Sequence, residues 1–154
     1  MGSSPLKISD ALANVSRLCV DTMPFIYFVE QNPAYLKKIR VVLTQITNGN
    51  IEGVSSVITL TEVLTLPIRL GRTDLEQAYR QILLQGKNFR LISINETIAS
   101  RAAHLRAQYN LKTPDALQIA TAVEAGCEAF LTNDLTIKRV QEVKVLVLDE
   151  LELP

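Results

Sequence analysis

Residues 17–29 read RLCVDTMPFIYFV. Arg17 to Val20 is a short, mostly apolar run that reads as a buried strand. Asp21 and Thr22 end it. Pro24 suits the first turn of a helix, and Phe25, Ile26, Phe28 and Val29 give that helix an apolar side. A strand, an acid and a helix in direct succession is a building unit of a parallel α/β fold.

The same unit recurs outward from this stretch. Pro33 breaks the first helix, and Ala34 to Thr47 carries Leu36, Ile39, Val42, Leu43 and Ile46 on one helical face. Asn48-Gly49-Asn50 closes that helix. Ile51 to Ser55 reads as a second strand, Val57 to Ile68 as a helix, and Thr73 to Gln85 as another. Arg90 to Ile94 alternates like a third strand, and Asn95 suits the cap of a helix reaching Tyr109. Thr113-Pro114-Asp115 opens the next helix and Gly126 stops it. Ala129 to Leu131, a short capped helix to about Val140, and Lys144 to Leu148 complete the pattern. Strands alternating with helices predict a parallel sheet with right-handed crossovers.

The chain has 154 residues, enough for one domain with a sizeable core. Residues 17–150 read as that domain, 1–16 as a polar, flexible extension and 151–154 as a tail. Sixteen basic and 16 acidic residues leave a formal net charge of zero. This argues against tight non-specific binding to nucleic acid, while leaving room for a local basic rim. Cys19 and Cys127 form no CxxC, which fits a reducing compartment. No apolar run approaches a signal peptide core or a membrane span, so a cytoplasmic protein without membrane contact is expected.

Asp21, Glu62, Asp115 and Asp134 each sit just past a strand-like run or near a helix start. In an open parallel sheet, ligands bind beyond the carboxyl ends of the strands, where all four can meet. Each also has a purely structural reading. Asp21 and Asp134 suit N-caps, Thr59 and Glu62 have capping-box spacing, and Asp115 suits the positive end of a helix. Leu60, Val63, Leu64 and Leu66 predict mostly buried surroundings for Glu62, and a buried carboxylate needs a partner. Clustered carboxylates raise each other's pKa, a conflict that a divalent ion removes. All-oxygen ligands suit Mg²⁺ or Mn²⁺ better than zinc, and such an ion equips a site to cut a phosphodiester.

The segments VDTMPFIYF, SSVITLTEVL, LKTPDALQIATAVEAGC and AFLTNDLTIKRV, in this order and spacing, resemble the PIN-domain family, and within it the VapC-like toxin ribonucleases. The resemblance spans roughly Leu18 to Leu148. It implies a three-layer α/β/α sandwich with a mainly parallel central sheet and a metal-dependent nuclease site. Its acidic positions fall on Asp21, Glu62, Asp115 and Asp134, with Asp21 and Asp115 as main ligands of Mg²⁺ or Mn²⁺. Thr132 matches the family's small hydroxyl near the last acid, and Thr22 is placed to act similarly beside Asp21. An RNA substrate, a small antitoxin protein and a homodimer are further implications. The family's aromatic residue a few positions after the last acid is missing, since Leu135, Thr136 and Ile137 occupy that stretch.

Arg69, Arg72, Lys112, Lys138 and Arg139 are the bases nearest the acids and the candidate contacts to an RNA backbone. The single histidine, His104, reads as a surface residue, which speaks against zinc catalysis or a serine–histidine triad. Neither a GxxxxGK[ST] nor a GxGxxG motif is present. The leading expectation is a Mg²⁺-dependent endoribonuclease. One alternative is a non-catalytic RNA-binding or regulatory protein of the same fold. A phosphotransfer receiver ranks below both, because Met23 stands where a DxD would need its second acid and Asn95 follows the third strand.

Overall fold

The computed structural model describes residues 5–154. In chain order the elements are β1 (Leu6–Lys7), α1 (Ile8–Ala11), β2 (Arg17–Val20), α2 (Thr22–Val29), α3 (Leu36–Thr47), β3 (Glu52–Ser56), α4 (Ile58–Arg69), α5 (Thr73–Gln85), β4 (Phe89–Ile92), α6 (Glu96–Tyr109), α7 (Thr113–Glu124), β5 (Ala129–Thr132), β6 (Lys144–Val147) and β7 (Leu151–Glu152). Two 3₁₀ turns, Leu135–Arg139 and Leu148–Glu150, flank β6.

β2 to β6 form one sheet in the order β4-β3-β2-β5-β6, and every pairing is parallel. Both faces are covered, as parallel sheets require. Alternation along the strands divides the core in two. Leu18, Val20, Ala129 and Leu131 pack with α1, α2, α3 and α5 on one side. Cys19, Val54 and Phe130 pack with α6 and α7 on the other. The result is the three-layer α/β/α sandwich.

Phe25 anchors α2 to this core. It is fully buried and meets Phe89 edge-on, with ring centroids 5.2 Å apart. Burying such a side chain stabilises by about 1.5–3 kcal/mol. The anchor also fixes where α2 begins, and therefore where Asp21 sits.

Residues 5–16 pack as part of the domain, which departs from the extension expected for 1–16; Met1 to Ser4 lie outside the described residues. Ile8 is fully buried, Ala11 and Leu12 are nearly so, and β1 pairs in parallel with β7, Leu6 opposite Leu151. The 151–154 tail is drawn in by the same pairing, with Leu151 buried. Two-residue strands and a one-turn helix are too short to show a period, so only tertiary contact reveals them.

Asn95 caps α6, its side-chain oxygen accepting from the Ile98 amide at 2.8 Å. Asn95→Ala should cost about 1 kcal/mol of stability, measurable by urea unfolding. An unchanged midpoint would show that the cap is not needed. Among the described residues no helix is long and apolar enough to cross a membrane. Cys19 and Cys127 are both free thiols.

Candidate metal centre

The strand order reverses between β2 and β5, since β3 and β4 extend the sheet one way and β5 and β6 the other. A crevice outside the carboxyl ends of two such strands is the favoured ligand site of an open parallel sheet. Val20 is paired with Leu131, so Asp21 and Thr132 leave the sheet side by side. The Asp21 amide donates to the Leu131 carbonyl at 2.9 Å.

Asp21 caps α2. Its Oδ1 accepts from the Thr22 amide at 2.8 Å, and its Oδ2 accepts from the Thr132 hydroxyl at 2.7 Å. The residue is only 9% exposed. Burial pushes its carboxyl up to about 6; the two hydrogen bonds oppose the shift, and Asp115 and Glu62 add to it. Thr132 also accepts the Asp134 amide at 3.1 Å, so one hydroxyl ties the first acid to the last.

Asp134 caps the 3₁₀ turn after β5, its Oδ1 accepting from the amide and the hydroxyl of Thr136 at 2.9 and 2.7 Å. Between the two, Asn133 donates to the Tyr27 hydroxyl at 3.1 Å and accepts the Asp149 amide at 2.8 Å. These bonds tie the turn to α2 and to the C-terminal segment. Asp115 lies half-buried in the first turn of α7, its carboxyl raised by burial and by the charges of Asp134 and Glu62, while Lys112 opposes the rise. Asp21 thus feels the charges of Asp115 and Glu62, and Asp115 those of Asp134 and Glu62.

Glu62 departs from its sequence reading in two ways. It is exposed rather than surrounded, because Leu60 and Leu66 turn partly or wholly outward while Val63 and Leu64 point inward. The capping box with Thr59 does not form, since Thr59 lies inside α4 and Val57 takes the cap position. Instead Glu62 Oε1 accepts the Thr22 hydroxyl at 2.8 Å. Thr22 and Thr132 thus each donate to one acid.

Sequence reasoning missed Ser55 and Gln118 and read Thr59 only as a helix cap. All three are buried, and they join under Thr22. One signal was available for Gln118: it is the polar residue on the inward side of DALQIATA, three positions after Asp115.

The basic candidates are unequal. Arg72 is bidentate on Asp74, Lys138 is paired with Glu150 at 2.7 Å, and Arg139 donates to the Thr136 and Tyr109 carbonyls. Lys112 adjoins Asp115 at the start of α7. Arg69 is exposed in the last turn of α4, seven residues past Glu62, or about 10 Å along the helix. His104 is exposed on α6, with Nδ1 3.1 Å from the Ser100 carbonyl oxygen.

Residues 18–143 match the PIN domain family. The chain belongs to the PIN domain family. Solved PIN-like folds are similar at low identity. A toxin–antitoxin complex from Klebsiella pneumoniae contains a chain 24% identical, with TM-score 0.66, over 85% of this chain and 97% of that one. A chain of VapBC2 from Rickettsia felis, bound to a DNA fragment from its promoter, is 15% identical with TM-score 0.60, over 85% and 98%. PAE2754 from Pyrobaculum aerophilum is 16% identical with TM-score 0.50, over 84% and 90%. No curated protein matches the sequence.

The donor set of this PIN domain suits a hard divalent ion, being carboxylate and hydroxyl oxygen without histidine or thiolate. Two of its acids are held above their ordinary range by burial and by their neighbours, a conflict that a cation relieves. Among the described residues, however, no three His, Cys, Asp or Glu side chains close around a single point. The arrangement is an open carboxylate rim rather than a protein cage. Mg²⁺ tolerates this, since it dehydrates reluctantly and is commonly held by one or two carboxylates, waters and substrate phosphate.

Proposed function

We propose that this PIN domain is a Mg²⁺- or Mn²⁺-dependent endoribonuclease, acting as the toxin of a type II toxin–antitoxin pair. The observation that carries the reading is the junction of β2 and β5, where a buried Asp21, tied by Thr132 to the Asp134 backbone, faces Asp115 and Glu62. Family membership and the toxin–antitoxin setting of two similar structures support it.

Asp21 and Asp115 would hold the ion, with Glu62 and Asp134 completing the site directly or through water. When bound, the ion supplies charge neutralisation at the phosphate and activation of water for phosphodiester hydrolysis. The protein supplies aim. Thr132 donates to Asp21 Oδ2 and favours the ionised carboxylate at the place where it is needed. Thr22 donates to Glu62 Oε1 from the first turn of α2 and fixes where that oxygen points. Arg69 and Lys112 are the better placed bases for the RNA backbone, because Arg72, Lys138 and Arg139 would first have to leave their present partners.

A small antitoxin and a second copy of the chain are the proposed protein partners, and the cytoplasm the proposed location. Leu66, Ile68 and Leu70 are each more than half exposed at the end of α4, the kind of apolar surface that a partner covers.

The purified protein should cut RNA when Mg²⁺ or Mn²⁺ is added and stop when EDTA is added. Cleavage unaffected by EDTA would overturn the metal mechanism. RNA retained on the protein in Mg²⁺ but left intact would favour the non-catalytic reading, for which the open rim is the specific structural argument.

A further inference from the structure

Beneath Thr22 lies a polar cluster within an otherwise apolar layer. Ser55, Thr59 and Gln118 are at most 1% exposed. Their hydrogens can be assigned one by one. Ser55 donates its single hydroxyl hydrogen to the Val20 carbonyl at 2.8 Å. The 2.7 Å contact between Ser55 and Thr59 must therefore be a donation from Thr59. Thr22 gives its own hydrogen to Glu62 at 2.8 Å.

This leaves the hydroxyl oxygens of Thr22 and Thr59 3.2 Å apart with no hydrogen to share. Two oxygens facing each other in this way repel unless a donor serves both. Gln118 is that donor. Its Oε1 accepts the Ser56 amide at 3.2 Å, which settles the orientation of the amide group. Its Nε2 then carries two hydrogens toward Thr59 at 2.5 Å and Thr22 at 3.5 Å.

We infer that Gln118, working through Thr59, is a positioning residue that turns the Thr22 hydroxyl onto Glu62. Without the amide, the contact between the two threonines is satisfied only if one hydroxyl turns toward the other. Thr22 then abandons Glu62, or Thr59 abandons Ser55. A buried polar network of this kind specifies one arrangement only when every member is satisfied. The link to catalysis rests on the proposed metal-site reading; the link to Thr22 does not.

The experiment has two readouts. In the metal-free protein, three-bond couplings of the slowly exchanging Thr22 hydroxyl proton to its own Hβ and methyl carbon report the torsion about the Cβ–Oγ bond, and so the direction in which the hydroxyl points. Wild type should show one orientation, onto Glu62, whereas Gln118→Met should average it between Glu62 and Thr59. Thr59→Val, which removes the competing oxygen, should keep the single orientation, and added to Gln118→Met it should restore it. In RNA cleavage, Gln118→Met should lower kcat by about 10- to 100-fold, the usual cost of losing a group that orients a metal ligand, with KM nearly unchanged. Added to Thr22→Val, it should cause no further loss, whereas a merely structural role would multiply the two losses.

Gln118→Met strips the Ser56 amide of its acceptor and can unfold the chain. In that case the near-isosteric Thr59→Val decides, because with the competing oxygen gone the Thr22 hydroxyl should stay on Glu62. An averaged Thr22 hydroxyl in Thr59→Val, a single orientation retained in Gln118→Met, or multiplied losses in the double variant overturns the inference. A wild-type protein that never cuts RNA overturns the nuclease reading instead, and the hydroxyl measurement still decides the role of Gln118.

Discussion

Asp21→Asn should abolish metal-dependent RNA cleavage while leaving the fold intact. The replacement has the same shape, and its remaining oxygen can still accept the Thr22 amide and cap α2. Its NH₂ would point at Thr132, which now donates to the carboxylate and also accepts the Asp134 amide. The hydroxyl would face two donors, and the tie between the first and last acids would lose its direction. The charge that a divalent ion needs at the deepest point of the site would be gone as well. Removal of one preorganised electrostatic group costs up to about 10³-fold in kcat, and a direct metal ligand belongs at that end. Single-turnover cleavage with Mn²⁺, alongside circular dichroism of the variant, checks this. A variant within tenfold of wild type, on about the scale of a peripheral contact, would remove Asp21 from the metal site.

As the pH rises from about 4 to about 6, metal-free wild-type protein should lose stability relative to Asp21→Asn. In the unfolded chain Asp21 ionises near its ordinary 3.8, while in the fold burial pushes it up to about 6. Below the lower value the carboxyl is protonated in both states. Between the two, the unfolded chain releases the proton and the folded one keeps it, so folding grows less favourable with rising pH. The full loss is about 3 kcal/mol and is complete above about pH 6. Asp115 contributes in the same direction. Glu52, Asp74 and Glu128 have lowered carboxyls and act the opposite way, their stabilisation disappearing on acidification. The difference between wild type and Asp21→Asn isolates the Asp21 contribution. Urea unfolding in EDTA across this range measures it, and Mn²⁺ at about 100 times its Kd should return about 2.7 kcal/mol at neutral pH. Parallel pH profiles for the two proteins would show that Asp21 ionises normally in the fold.

Much of this fold is readable along the chain because its strands and helices are joined locally. An apolar run, an acid and a proline at 17–24 mark a strand end and a helix start without any knowledge of neighbours. The 3.6-residue period of Leu36, Ile39, Val42 and Ile46 does the same for α3, of which Ile39, Val42 and Ile46 are buried. The ends that carry no period were not readable. Leu6 and Lys7 are ordered by pairing with Leu151 and Glu152, near the other end of the chain, and Ile8–Ala11 by packing into the core.

The acids divide in the same way. Asp21, Asp115 and Asp134 are local features of strand ends and helix starts, so sequence alone names them. The caps made by Asp21 and Asp134 are real and do not compete with a metal role, since each uses Oδ1 and leaves Oδ2 directed elsewhere. Glu62 was given the wrong surroundings, because four apolar neighbours say nothing about which side of α4 faces the core. The direction of the Thr22 hydroxyl was invisible, because its cause is Gln118, 96 positions away.

Sequence by itself determined the order of elements from β2 to β6, the α/β class and which four acids are candidates, all consequences of interactions within a few residues. Only the tertiary structure decided that β5 lies against β2, that Asp21 is buried beside Thr132, and that Gln118 serves two threonines at once. Those facts depend on register and burial, which arise when distant strands pair and water is excluded between them.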